Sequence, residues 1–222
     1  MLDISKLNIR GFVKIEDDET GEVLVEKNNA IHYGNMSSIL ASALTGDPRS
    51  HISYMAFGNN GTTVNGSQIT YKPPRVSVVE NLAASLYSST FVRKLTNEAS
   101  AVPTPDNHVM VPVDSTQTSS SGFKDIVATA TLAIGDGNPT GQDAIDNATD
   151  NTSAFVFDEI AMYAAPEDAL TGNGTSDLLE ISAFVNNSES RMLTHVVFHP
   201  VQKSQNRRLK ITYTIRVQMA EI

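Results

Sequence analysis

The sequence predicts a mainly β fold: an antiparallel β-sandwich or jelly-roll-like domain with one short helix, at about residues 35–45, and long loops. Three observations predict it. Apolar and polar residues alternate at both ends of the chain, Ile9, Gly11, Val13 and Ile15 against Arg10, Lys14 and Glu16, then Leu209, Ile211, Tyr213, Ile215, Val217 and Met219 against Lys210, Thr212, Thr214, Arg216 and Gln218. This period of two belongs to strands with one buried face. Sustained helical spacing occurs in a single segment, and clusters of Gly, Pro, Asn, Asp and Ser cut the remainder into short runs.

Taken in order, the turn Asp17-Asp18-Glu19-Thr20-Gly21 followed by Val23-Leu24-Val25 makes residues 8–27 a hairpin. The helix follows, with Asn35 as its N-cap, Met36, Ile39, Leu40, Ala43 and Leu44 on one face, and Gly46 at the left-handed position after its end. Burying three or four such side chains, at roughly 1.5–3 kcal/mol each, suffices to dock a short helix on a sheet. Ile52 to Phe57 reads as a strand, and residues 58–75 as a polar loop stiffened by Pro73-Pro74. Residues 76–95 are ambiguous: Ala83, Leu86, Tyr87 and Phe91 suit a helix, whereas the β-branched run 88–95 favours a strand. Residues 97–122 read as a loop or arm around one short strand at 108–113.

Strands are then expected over Ile126 to Ile134, Phe155 to Ala164, Leu178 to Val185, Leu193 to Phe198 and Leu209 to Met219, with a Gly/Asn/Asp-rich loop at 135–153. That makes eight to ten strands and one helix. The chain reads as one domain over 1–222 with excursions at 58–75, 97–122 and 135–153, more than a monomeric domain of this size usually carries.

Composition narrows the function. With 16 basic and 25 acidic residues the chain carries a net charge of -9, which disfavours phosphate backbones and anionic lipid, so neither nucleic acid nor membrane is an expected partner. There is no Trp, and aromatics make up 6%, too few for an aromatic stacking platform. The absence of Cys removes disulfides, thiolate nucleophiles and sulfur-built metal sites, and fits assembly in a reducing cytoplasm. The start Met1-Leu2-Asp3-Ile4-Ser5-Lys6 lacks the pattern of a signal peptide.

Candidate chemistry is sparse, and no cofactor is expected. His195 and His199, four apart on an expected strand, share a face, either as a metal pair or, the reading preferred here, as part of a sheet face or subunit contact. Asp17-Asp18-Glu19 reads as a solvated turn. Asp158-Glu159 interrupts an apolar strand, and adjacent strand residues point to opposite faces, so a bulge or an intersubunit salt bridge is preferred to an acid–base pair. Asp136 to Gly141 begins like a calcium loop but has Asn147 where a bidentate Glu belongs. Gly58-Asn59-Asn60-Gly61 lacks the lysine and helix of a phosphate cradle. Lys203, Arg207, Arg208 and Lys210 cluster at the last hairpin turn, as a charged turn that discourages edge pairing or as an intersubunit contact with an acidic neighbour.

Three stretches carry a resemblance: Lys27-Asn28-Asn29-Ala30-Ile31-His32-Tyr33-Gly34-Asn35-Met36-Ser37; Ile52-Ser53-Tyr54-Met55-Ala56-Phe57-Gly58-Asn59-Asn60-Gly61-Thr62; and Phe198-His199-Pro200-Val201-Gln202-Lys203-Ser204 with Leu209 to Val217. In this order they resemble structural proteins of tailed bacteriophages, in which an N-x-I segment, a helix, an I-x-x-(I/M)-A-F-G strand and a terminal Y-T-I strand recur. The similarity lies in residues 27–62 and 193–219. It implies a non-enzymatic virion subunit of the neck, collar or tail, assembled in the host bacterial cytoplasm, whose partners are copies of itself in a cyclic homo-oligomer and other virion proteins. A receptor-binding or head-decoration module is the alternative the loops also suit. A hydrolase on a β scaffold would need two carboxylates or a metal triad converging in a cleft.

Overall fold

The computed structural model describes residues 5–47, 50–98, 106–112, 122–134, 155–165, 179–180, 190–204 and 206–221. The alternating chain ends form its longest strands. β1 (Ser5–Asp17) and β15 (Leu209–Glu221) run antiparallel in register from Ser5 opposite Glu221 to Asp17 opposite Leu209. β2 (Val23–Asn28) completes the expected hairpin with β1, with a bulge at Ile15/Glu16. On the other side of β15 lies β10 (Phe123–Leu132), followed by β9 (His108–Met110) and β8 (Thr96–Glu98), giving a six-stranded sheet in the order β2-β1-β15-β10-β9-β8. The β8–β9 pair is parallel.

The second sheet packs across the core from the first, so the domain is β-sandwich-like. It orders β12 (Leu179–Glu180), β7 (Ser89–Lys94), β4 (Ile52–Gly58), β11 (Phe155–Ala164), β14 (Thr194–Lys203) and β3 (Ala30–Ile31), with β13 (Arg191–Met192) also pairing to β11. Between the sheets, Val13, Ile15, Ile211 and Tyr213 meet Met55, Phe57, Phe157 and Phe198. Although aromatics are few, the phenylalanines form a continuous chain. Phe57 stacks on Phe91 at 4.5 Å, Phe157 meets Phe57 edge-on at 5.5 Å, and Phe198 meets Phe157 at 5.8 Å.

The far face of the second sheet is also covered. Tyr54, Ala56, Val92, Ala161 and Tyr163 pack with Leu86 of the segment between β6 (Gln68–Tyr71) and β7. Burial on both faces explains why residues 155–164 read as a nearly continuous apolar run rather than an alternating one.

Several expectations change. The helix α1 spans Tyr33–Leu44, and its N-cap is His32, whose Nδ1 accepts from the Asn35 amide at 3.2 Å. Asn35 lies inside the first turn and is fully buried, where its amide group donates to Met192 O (2.9 Å) and Asn81 O (3.0 Å) and accepts from Asn81 N (2.8 Å). A buried carboxamide satisfied on three sides ties two distant segments together, a tertiary demand that outranks its capping propensity. Met36 and Ile39 reach the core, but Leu44 is 90% exposed. Gly46 does take the left-handed conformation (φ +78°), with Gly46 N bonded to Ala43 O and Asp47 N to Ser42 O, a Schellman ending.

The expected loop at 58–75 contains a hairpin, β5 (Thr62–Asn65) against β6, turning at Gly66. Residues 76–88 are irregular and 89–94 form a strand, so the ambiguous segment divides between loop and β. β14 runs on through Pro200 to Lys203. Of the expected 178–185 strand, only Leu179–Glu180 lies within the described residues, and the 135–153 loop, with its calcium-like sequence, lies outside them. No helix among the described residues is long and apolar enough to cross a membrane.

Candidate functional site

The buried polar groups concentrate where β11 and β14 fall out of step. Phe157 faces Val201 and Glu159 faces Val197, so Phe198, His199 and Pro200 together oppose Asp158 alone. Pro200, which cannot donate to the ladder, sits inside this bulge. The bulge expected around Asp158-Glu159 is therefore present, and both carboxylates lie within the fold, at 4% and 0% exposure.

Each holds a different loop. Asp158 Oδ1 accepts from the backbone N–H of Asn60 (3.0 Å) and Gly61 (2.9 Å), while Oδ2 accepts from Thr62 N (2.7 Å) and from the Thr62 hydroxyl. Successive amides of the Gly58–Thr62 loop thus surround an anion, as a phosphate-binding nest would, but the anion is this chain's own side chain. Asn60 adopts φ 141°, a conformation rare for a residue with a side chain; the hydrogen bond its N–H donates to Asp158 and the one its Oδ1 accepts from Lys72 Nζ (2.9 Å) hold it there.

Glu159 Oε1 accepts from Ser88 N (2.9 Å), and Oε2 accepts from Tyr87 N (2.9 Å) and pairs with His195 Nε2 (3.0 Å). The other ring nitrogen, Nδ1, accepts the Arg75 amide at 2.8 Å, which places the imidazole proton on Nε2, donating to the carboxylate. His195 is fully buried and His199 is exposed, with its Nδ1 3.3 Å from the Tyr71 hydroxyl. The two histidines expected to share a face serve separate surroundings, because the bulge at 198–200 interrupts the alternation between them.

Outside this clamp the segment 71–75 lays a band of cations over tyrosine rings. Lys72 Nζ lies 4.8 Å and Arg75 Cζ 5.3 Å from the centroid of Tyr87, and Lys27 Nζ lies 4.9 Å from that of Tyr71. Tyr87 donates its hydroxyl to Pro73 O (2.8 Å), and its ring stands 5.9 Å from that of His195. The only sequence signal for this band is the compact run Tyr71-Lys72-Pro73-Pro74-Arg75. Its other members come from residues 27, 87 and 199.

The expected basic cluster is arranged differently. Arg207 Nε pairs with Asp17 Oδ2 at 2.7 Å, and Arg208 pairs with Asp18 (2.8 Å) and Asp106 (2.7 Å), all within this chain. Lys203 is fully buried, donating to Ser204 O at 2.7 Å, and Lys210 is exposed on β15 opposite Glu16. Asp17, expected to be solvated, is 8% exposed and organises its turn by accepting from Glu19 N and Thr20 N. The Thr20 amide first, then the Arg207 guanidinium, holds its carboxyl down to about 2.

Comparison of the chain with protein-family models, curated protein sequences and solved structures returns no match. Among the described residues, no three His, Asp or Glu side chains are grouped to hold a metal ion.

Proposed function

We propose that this chain is a non-enzymatic structural subunit of a tailed-phage virion, forming a symmetric ring in the neck, collar or tail and joining neighbouring virion proteins. One observation carries the reading: the stretches that bear the phage resemblance are neighbours in the fold. β3 of the first stretch pairs with β14 of the last, Asn29 donates to the Tyr213 hydroxyl at 2.6 Å, and β4 lies one strand away across β11. Residues of a loose pattern that meet in one buried framework serve a shared scaffold.

The bulge supports the same reading. Its two carboxylates accept seven hydrogen bonds from the chain, counting the Thr62 hydroxyl and the His195 ring, so they are committed to holding loops in place. Loops fixed from below by buried anions present a stiff surface to neighbouring subunits.

The test is to locate the protein in particles with a gold-labelled antibody and to weigh the purified protein by native mass spectrometry. A ring-sized oligomer and label at the head–tail junction or along the tail are expected. Label on head facets or fibre tips would favour the decoration or receptor-binding role, and a stable monomer that never enters particles would end the proposal.

A further inference from the structure

We infer that the band formed by Lys27, Lys72 and Arg75 with Tyr71 and Tyr87 is the surface that receives an acidic segment of a second copy of this chain, the exposed turn containing Glu19 and Glu22. This deepens the ring reading and rests on it.

The first support is charge left open. Lys27 Nζ donates to Val197 O (2.8 Å), Lys72 Nζ to Asn60 Oδ1 (2.9 Å) and Arg75 to Leu86 O (3.0 Å); among the described residues none of the three pairs with a carboxylate. Arg207, Arg208 and Arg216, by contrast, are each matched by an aspartate of the same chain. Each of the three is held by a neutral acceptor rather than by an acid. Stacking on tyrosine faces also fixes the positions of Lys72 and Arg75, so little side-chain freedom remains to be lost on binding.

The second support is that, among the described residues, the nearby acids are turned away or occupied. Asp158 and Glu159 are buried on backbone amides. Glu80 pairs with Arg191 at 3.2 Å. Glu26 is the strand neighbour of Lys27 and so points to the opposite face, beside Lys14. Glu19 and Glu22 are exposed and take part in no ion pair among the described residues, but they lie beyond the far end of β2. From Glu22 to Lys27 is about 17 Å at 3.3 Å per residue, roughly two Debye lengths at physiological salt. Over that distance the charge of Glu22 is largely screened from Lys27 within one copy, whereas the same turn on a neighbour can approach the band directly. Two different patches on each subunit, meeting head to tail, are what a closed ring requires. Tyr71 of the band is 46% exposed, and Val64 of the same hairpin is 69% exposed, so both offer apolar contact to the incoming turn.

The experiment measures assembly of the full chain by analytical ultracentrifugation, for wild type, Lys72→Glu/Arg75→Glu, Glu19→Lys/Glu22→Lys and the four-fold combination. Each double reversal is expected to weaken assembly by about tenfold or more, and the combination to restore most of the loss. Unchanged thermal unfolding of each variant, and a milder loss in Lys72→Gln/Arg75→Gln, would separate lost contact from lost folding. If wild type assembles and Lys72→Glu/Arg75→Glu assembles equally well, the inference fails and the ring reading stands. If wild type stays monomeric at every concentration and outside particles, both fail. If Lys72→Glu/Arg75→Glu loses binding to a labelled DNA duplex while assembly is untouched, the band belongs to nucleic acid and the inference is overturned.

Discussion

His195 Nε2 lies 3.0 Å from Glu159 Oε2, with neither side chain exposed to solvent. Because Nδ1 of the same ring accepts the Arg75 amide, and the carboxylate also accepts the amides of Tyr87 and Ser88, the pair joins two points of the 75–88 segment to the centre of the second sheet. Leu86 lies within that span and covers the sheet's outer face. Removing the carboxylate in Glu159→Ala leaves two amides and a ring N–H buried without an acceptor. The expected loss is about 3–5 kcal/mol in urea denaturation, with amide exchange at Tyr87 and Ser88 rising first. A loss below about 1 kcal/mol would mean that the segment is held by other contacts.

Asp158 makes a separable prediction. Asp158→Asn keeps one acceptor but turns an NH2 group toward donors of the 60–62 loop. The expected cost is about 1–3 kcal/mol, and limited proteolysis should cut the β5–β6 hairpin faster in the variant than in wild type. Equal cleavage rates would show that Asp158 does not hold the hairpin in place.

How much of this was legible depended on which signals side-chain type can carry. β1 and β15 were readable because one face of each packs into the core, and β11 was readable because both of its faces do. The β5–β6 hairpin was not, since Val64 and Tyr71 are exposed and nothing alternates with a core. The helix is legible in the sequence but its cap is not: His32 and Asn35 both have a suitable acceptor, and only the positions of Asn81 and Met192 decide between them. Asp158 and Glu159 stand out in an apolar run, but their partners are mainly backbone amides, which most residue types possess. The partners of the arginines in the last hairpin turn are not legible, because their acids, Asp17, Asp18 and Asp106, lie far away in sequence.

Acid sensitivity should show first through His32. Burial pushes its pKa below the ordinary 6.5, so the folded chain resists a proton that the unfolded chain accepts. The stability contributed by the neutral ring is complete above 6.5 and declines as pH falls below it. His32→Asn keeps a capping acceptor and should flatten this part of the stability–pH curve, whereas His32→Ala should cost about 0.5–2 kcal/mol across the range.

A second decline belongs to Asp17. Its folded pKa lies at about 2 against an ordinary 3.8, so its contribution is complete above 3.8 and disappears as pH falls toward 2. Asp17→Asn should remove that step, and Arg207→Ala should shrink it without abolishing it, because the Thr20 amide is the larger cause. Denaturation midpoints measured across this window would decide; an unchanged step in Asp17→Asn would assign it to another carboxylate.

A hydrogen bond joins the first resemblance stretch to the last. Asn29 folds its side chain over Gly11, where an added Cβ would stand 1.8 Å from Asn29 Oδ1, and its Nδ2 donates to the Tyr213 hydroxyl at 2.6 Å. Tyr213 in turn donates to Thr194 Oγ1 (2.7 Å), which accepts the Met162 amide (3.1 Å), so one hydrogen-bonded chain crosses the core from sheet to sheet. Burial of the phenol pushes its pKa above the ordinary 10.0, as expected for a hydroxyl kept as a donor. Gly11→Ala must evict the Asn29 amide and so break the chain at its head; Tyr213→Phe breaks it in the middle. Each is expected to cost about 1–3 kcal/mol, and the double variant should cost at least about 1 kcal/mol less than the sum, because the second change removes a bond already lost. Asn29→Ala should also recover part of the Gly11→Ala loss by clearing the clash. Strict additivity in the cycle would mean that the amide and the phenol act independently.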